Sequence, residues 1–162
     1  MSRVMESMIG TAEGDAMARA LQGRFSGNLL LPGDDGYDVA RRVWNGMIDR
    51  YPALIAQCRT AADVATAVTV AREHGVLLSI KAGGHGVSGK AVCDGGLVID
   101  LCLMKGIEVD PDARRARAEP GLLWCEFDAA TLAHGLAITG GTDSSTGIAG
   151  LTLGGGHGWL EG

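Results

Sequence analysis

Thr60-Ala-Ala-Asp-Val-Ala-Thr-Ala-Val-Thr-Val-Ala-Arg-Glu-His-Gly75, followed by Val76-Leu-Leu-Ser-Ile80 and then Lys81-Ala82-Gly83-Gly84-His85-Gly86-Val87-Ser88-Gly89-Lys90, is the stretch on which the fold turns. Thr60 and Asp63 have capping-box spacing, which starts a helix. The spacing of Val64, Val68 and Ala71 continues it along one apolar face to His74, and Gly75 stops it. Ala53 to Gln57 before it and Val76 to Ile80 after it are short apolar runs of strand type. Strand, helix and strand in that order build a parallel sheet.

Working outward, Thr11 to Gly23 and Tyr37 to Asn45 read as helices, the second preceded by the turn residues Asp34-Asp35-Gly36. Leu97 to Leu101 reads as a buried strand. Ile107 to Val109 and Arg114 to Glu119 alternate around the turn Asp110 to Ala113, so a hairpin is expected. Leu122 to His134 is amphipathic through Leu123, Phe127, Ala130 and His134, with Gly135 as its stop. Leu136 to Thr139 is expected to be a last short strand. Parallel and antiparallel pairings are therefore mixed, and the fold class is α+β, a small strand-helix-strand parallel subdomain followed by a mixed or antiparallel one.

Composition narrows the function. The chain carries 14 basic and 19 acidic side chains and no basic stripe, which argues against nucleic acid. The first ten residues lack the pattern of a secretory signal, and no run of eighteen apolar residues offers a membrane span. Cys58, Cys93, Cys102 and Cys125 form no Cys-x-x-Cys pair; they read as reduced thiols of a cytoplasmic protein, with a zinc site a weakly supported alternative. The expected partner is a small-molecule substrate, and the oligomeric state is left open.

Glycine is the anomaly, at 26 of 162 residues. Four lie between Gly83 and Gly89, and nine between Gly140 and Gly162. Such clusters mark backbone that turns sharply or approaches a ligand, so two loops are expected to grip one ligand. The first loop has the literal Gly-x-Gly-x-x-Gly of a dinucleotide fingerprint (Gly84, Gly86, Gly89) and the Gly-x-x-x-x-Gly-Lys spacing of a P-loop (Gly84 to Lys90). Both motifs need a helix to open at the loop, and Ala91 to Gly96 offers none. Ala91 also stands where a P-loop has Ser or Thr. A P-loop-like nucleotide-binding module and a remnant that binds nothing stay as alternatives. The second loop, Thr139 to Trp159, is rich in hydroxyls and glycines, and structureless loops of this length generally bind something.

Lys81 to Gly86 together with Gly147-Ile-Ala-Gly-Leu-Thr-Leu-Gly-Gly-Gly-His-Gly-Trp-Leu160 resembles the FAD-binding domain of the vanillyl-alcohol oxidase or PCMH type. Within it the sequence is most similar to the berberine-bridge-enzyme-like and 6-hydroxy-nicotine-oxidase-like oxidoreductases. Cys93 to Leu101 and His134-Gly135-Leu136 also fit. The likeness runs from about Leu31 to the last residue, which makes residues 1–30 an N-terminal helical extension and 31–162 the FAD-binding domain.

The resemblance implies FAD as cofactor, held by Lys81, Ala82, Gly83, Gly84, His85, Gly86, Val87 and Ser88 of the first loop. From the second it implies Gly141, Thr142, Thr146, Gly147, Gly150, Leu151 and Gly155. It further implies a covalent link from His85 to the flavin 8α carbon. Asp143 stands where some members carry a second attachment cysteine, and a carboxylate makes no thioether, so a single link is expected. His157 is expected to pack beside Trp159. His74 and His134, at helix ends, are expected to be structural. The implied activity is hydride transfer from a small organic alcohol, amine or sugar to FAD, with oxygen as reoxidant. No residue offers itself as catalytic base, and members carry a substrate domain after the second loop. The chain is accordingly expected to be an N-terminal fragment that does not turn over alone.

Overall fold

The computed structural model describes residues 3–160, with side chains from residue 12 onward. Along the chain the elements are α1 (Arg3–Leu21), β1 (Asn28–Leu30), α2 (Tyr37–Ala40), β2 (Leu54–Gln57), α3 (Ala61–His74), β3 (Leu78–Lys81), β4 (Leu97–Asp100), β5 (Ile107–Asp110), β6 (Arg115–Ala118), α4 (Trp124–Leu132) and α5 (Ile148–Gly154). The sheet order is β1-β2-β4-β3, with β4 parallel to both neighbours and β1 antiparallel to β2. The expected strand-helix-strand unit is therefore present, but β2 and β3 do not touch. β4 enters between them, pairing Leu97 with both Leu54 and Leu78. The α+β class holds, with β5 and β6 as a separate antiparallel hairpin.

Successive side chains of a strand point to opposite faces, and the sheet uses both. Leu54 and Ala56 of β2 join Leu97 and Ile99 of β4 beneath α1 and α3, meeting Met17, Leu21, Ala67, Val70 and Ala71. Ile55 and Val98 face the other way, against Tyr37, Ala40, Val92 and Cys93. Eleven of these buried side chains are fully enclosed, as a parallel sheet covered on both faces requires.

The α3 capping box forms as expected: Thr60 Oγ1 accepts from the Asp63 amide at 3.1 Å, and Asp63 Oδ2 from the Thr60 amide at 3.0 Å. Asp63 also takes the Ser26 amide and hydroxyl, each at 2.8 Å, and so ties the approach to β1 onto α3. The buried stripe differs from expectation. It runs through Ala67, Val70 and Ala71, while Val68 is exposed. Close packing of the helix on the sheet selects the small Ala67, whose weak hydrophobicity a pattern search undervalues.

Three expected boundaries move. The helix expected over Tyr37 to Asn45 stops at Ala40, because the Trp44 amide donates to Gly84 and the Ala40 carbonyl accepts from Lys81 Nζ. The helix expected from Thr11 begins earlier, at Arg3. Leu136 to Thr139 is not a strand: the Leu136 amide closes the end of α4 by donating to Thr131.

Candidate functional site

The first glycine loop leaves β3, and the second lies across the start of α4. The amides of Trp124 and Cys125 donate to the Thr146 and Ser144 carbonyls at 3.0 and 2.9 Å, and the Ile148 amide donates to Leu122 at 3.0 Å. Main chain of the second loop thus satisfies amides that a helix start leaves without intrahelical partners. Ile148 is buried with Leu122, Trp124 and Phe127. That anchorage explains α5, a helix inside what the glycine content presents as loop: tertiary packing overrides propensity.

The two loops meet in backbone contact. A Cβ on Gly83 would lie 2.6 Å from the Gly147 Cα, and one on Gly147 would lie 2.8 Å from the Gly83 Cα. Beside this join opens a cavity of about 400 Å³ lined by Ala82, Gly83, Gly84, His85, Gly86, Thr146, Gly147, Gly150, Leu151 and Gly155, with Ile80 and Ala91. The first ten are all residues that the sequence singles out. Ile80 and Ala91 are additions.

Five expected residues line no part of it. Lys81 is drawn away to the Ala40 carbonyl and to Asp100, whose carboxylate is 3.7 Å off and 1% exposed. Val87 and Ser88 are exposed beyond the bend, where the Val87 carbonyl accepts from Asn45 at 2.9 Å. Gly141 packs beside Trp124 and Leu151, and Thr142 is exposed. His157 and Trp159 are both exposed; His74 ends α3, and His134 lies just past α4. No helix opens between residues 82 and 96, which removes the structural context of both phosphate-binding motifs. Among the described residues no group of three or more His, Cys, Asp or Glu side chains could hold a metal.

His85 is half-buried at the join. Its ring stacks on Trp44, with centroids 5.6 Å apart and planes 21° from parallel. Its Nε2 lies 2.9 Å from Ser145 Oγ and its Nδ1 3.4 Å from Thr146 Oγ1. Ser145 Oγ is in turn 2.6 Å from Asp143 Oδ1, which also accepts the Ser145 amide at 2.8 Å. The hydroxyl and amide of Ser145 hold the Asp143 carboxyl below the ordinary carboxylate range, against a small opposing effect of desolvation. Trp44 and Ser145 are absent from the residues singled out by sequence. Trp44 lies outside both glycine loops, and within the second nothing sets Ser145 apart from the neighbouring hydroxyls, so only the fold brings the two to the ring.

A family model described as FAD binding domain matches residues 52–162. The chain belongs to the FAD-binding domain family. Among curated relatives, (R)-6-hydroxynicotine oxidase of Paenarthrobacter nicotinovorans is 38% identical over 134 residues, which are 83% of this chain and 29% of that protein. The crystal structure of 6-hydroxy-D-nicotine oxidase from Arthrobacter nicotinovorans superposes with a TM-score of 0.82 at 38% identity, covering 84% of this chain and 30% of the other. Xylooligosaccharide oxidase from Myceliophthora thermophila gives 0.82 at 26% identity, covering 89% and 31%. The chain spans about 30% of the length of the curated relatives it matches.

As an FAD-binding domain, the chain has suitable walls for its cofactor. Most of the cavity lining is glycine or alanine, so little side chain stands between a ligand and the main chain, and the volume falls within the range of about 300–1,000 Å³ usual for cofactor sites. No Cβ would meet anything within 4 Å at Gly86 or Gly150, so nothing else in the described chain needs those two positions bare.

Proposed function

We propose that the chain is the FAD-binding portion of a flavin-dependent oxidase acting on a small organic alcohol, amine or sugar. The observation that carries the proposal is the position of His85: on the wall of a glycine-lined cavity, at the contact of the two loops, and held by side chains of the second. Bound FAD supplies the hydride acceptor, and oxygen is the proposed final one. The ten lining residues singled out above are the proposed cofactor contacts, with amides of Ala82 to Gly86 facing the pyrophosphate. Residues 31–162 form the cofactor-binding part and residues 1–30 an added helical segment whose Met17 and Leu21 pack into the same core.

Covalent attachment through His85 is part of the proposal. A neutral imidazole is a nucleophile, and stacking on Trp44 with contacts at both ring nitrogens holds it in one orientation. The cytoplasm is the proposed compartment, in keeping with four cysteines that form no disulfide. Among the described residues no helix is long and apolar enough to cross a membrane.

Intact mass and in-gel flavin fluorescence after denaturation, on holoprotein expressed from the complete reading frame, test this. The expected result is a flavin adduct that disappears in His85→Ala. Yellow protein that bleaches on denaturation would withdraw the covalent link. Colourless protein would withdraw the function.

A further inference from the structure

The two ring nitrogens of His85 face neighbours of unlike capacity. Ser145 Oγ touches both Nε2, at 2.9 Å, and the Asp143 carboxylate, at 2.6 Å. A hydroxyl has one proton to donate, and an ionised carboxylate has none. The charged acceptor takes that proton, since hydrogen bonds to a carboxylate are the shorter and stronger kind. Ser145 then meets Nε2 with a lone pair, and the contact is a hydrogen bond only if Nε2 carries hydrogen. Thr146 Oγ1, at 3.4 Å from Nδ1, imposes no comparable demand on the other nitrogen.

We propose that Asp143 and Ser145 are positioning residues that keep the hydrogen of His85 on Nε2, so that Nδ1 is the lone-pair nitrogen of the neutral ring and the one that bonds the flavin. The use of this device rests on the FAD function proposed above; its geometry does not. In the attachment, a bond forms from Nδ1 to the 8α carbon and one methyl C–H bond breaks. The electron pair of that C–H bond passes through the ring system to dioxygen. The methyl proton and one from solvent complete hydrogen peroxide. The imidazole gains a positive charge as Nδ1 is alkylated. Its Nε2–H, directed through Ser145 at the Asp143 carboxylate, stabilises that charge. The task requires the Asp143 carboxylate.

The tautomer can be read without flavin. With histidines labelled by nitrogen-15 and pH high enough for neutral imidazole, long-range proton–nitrogen spectra of the 162-residue chain separate protonated from lone-pair nitrogens. His85→Ala assigns the signal among the four histidines. The expected result is hydrogen on Nε2 in the wild type, a mixture of tautomers in Ser145→Ala and in Asp143→Ala, and recovery in Ser145→Thr. A lone pair on Nε2 in the wild type, or no change in either alanine variant, would overturn the proposal. In holoprotein, Ser145→Ala should slow adduct formation about tenfold or more, the effect of losing one hydrogen bond to a charged system, with Ser145→Thr restoring it. Adduct formation at the wild-type rate in Ser145→Ala would also overturn it. A fixed tautomer in protein that never acquires flavin would instead withdraw the function alone.

Discussion

Replacing Gly83 by alanine tests the join between the two loops. The new Cβ would sit 2.6 Å from the Gly147 Cα and closer still to its nitrogen, whereas ordinary contact begins at 3.4 Å. Both obstacles are backbone, so no side chain can swing aside, and the loops must part by close to 1 Å. Gly147 is the more informative partner, because its φ of −70° and ψ of 132° suit any residue. Alanine there costs nothing in conformation, and the whole effect is the clash. Overpacking of this kind costs about 1–3 kcal/mol. For a chain of this size that lowers the melting temperature by about 2–4 °C for each kcal/mol. One separation relieves both clashes, so the double variant Gly83→Ala/Gly147→Ala should lose less than the two singles added together. Gly86→Ala is the control: it lies in the same loop with nothing within 4 Å, and should stay within about 0.5 kcal/mol of wild type. The assay is urea unfolding followed by circular dichroism, repeated with FAD. If Gly83→Ala and Gly147→Ala both unfold at the wild-type midpoint, the loops are not in contact and the site geometry described here is wrong.

Three further outcomes are expected. Burial alone would raise the Asp63 carboxyl, but hydrogen bonds from Ser26, Arg59 and Thr60 outweigh it and hold the group at about 2. Its contribution of about 2 kcal/mol should be present above pH 4 and fade as pH falls from about 4 to 2, a loss that acid titration of stability should show much reduced in Asp63→Asn. Tyr37→Phe removes a buried hydroxyl bonded to the Pro52 carbonyl at 2.6 Å and should cost about 1 kcal/mol by the same unfolding assay. Leu54→Ala opens a fully buried site beneath α1 and α3 and should cost about 2–5 kcal/mol, with the larger loss if the surrounding side chains fail to collapse.

Much of this architecture is legible in the residues themselves. The Thr60–Asp63 box, the apolar runs of β2 and β4 and the alternation of the 107–118 hairpin are local signals, and each element forms where its signal lies. The convergence of the glycine loops is legible as well, because two dense glycine clusters stand out in an otherwise well-patterned chain. What escapes is decided by partners distant in sequence. The end of α2 depends on Gly84 and Lys81, more than forty residues away. The α5 helix exists because Ile148 has a buried seat beside Trp124. Lys81 resembles a ligand residue in the motif, yet its ammonium group is drawn to Asp100, a charge that only strand pairing brings near. Ser145 and Trp44 reach His85 in the same way.

The insertion of β4 between β2 and β3 has a kinetic consequence. Until Leu97–Asp100 is in place, β2 and β3 share no pairing, and the segment from 82 to 96 is fixed to the sheet at one end only. When β4 slots in, it zips both neighbours at once and draws that segment into a closed arch with Val92 and Cys93 sealed beneath it. Completion of the sheet and construction of the His85 arch are therefore the same event. Amide exchange in Val98 and Ile99 should report the same opening that releases the arch, so that opening of the sheet and loss of the ligand coincide.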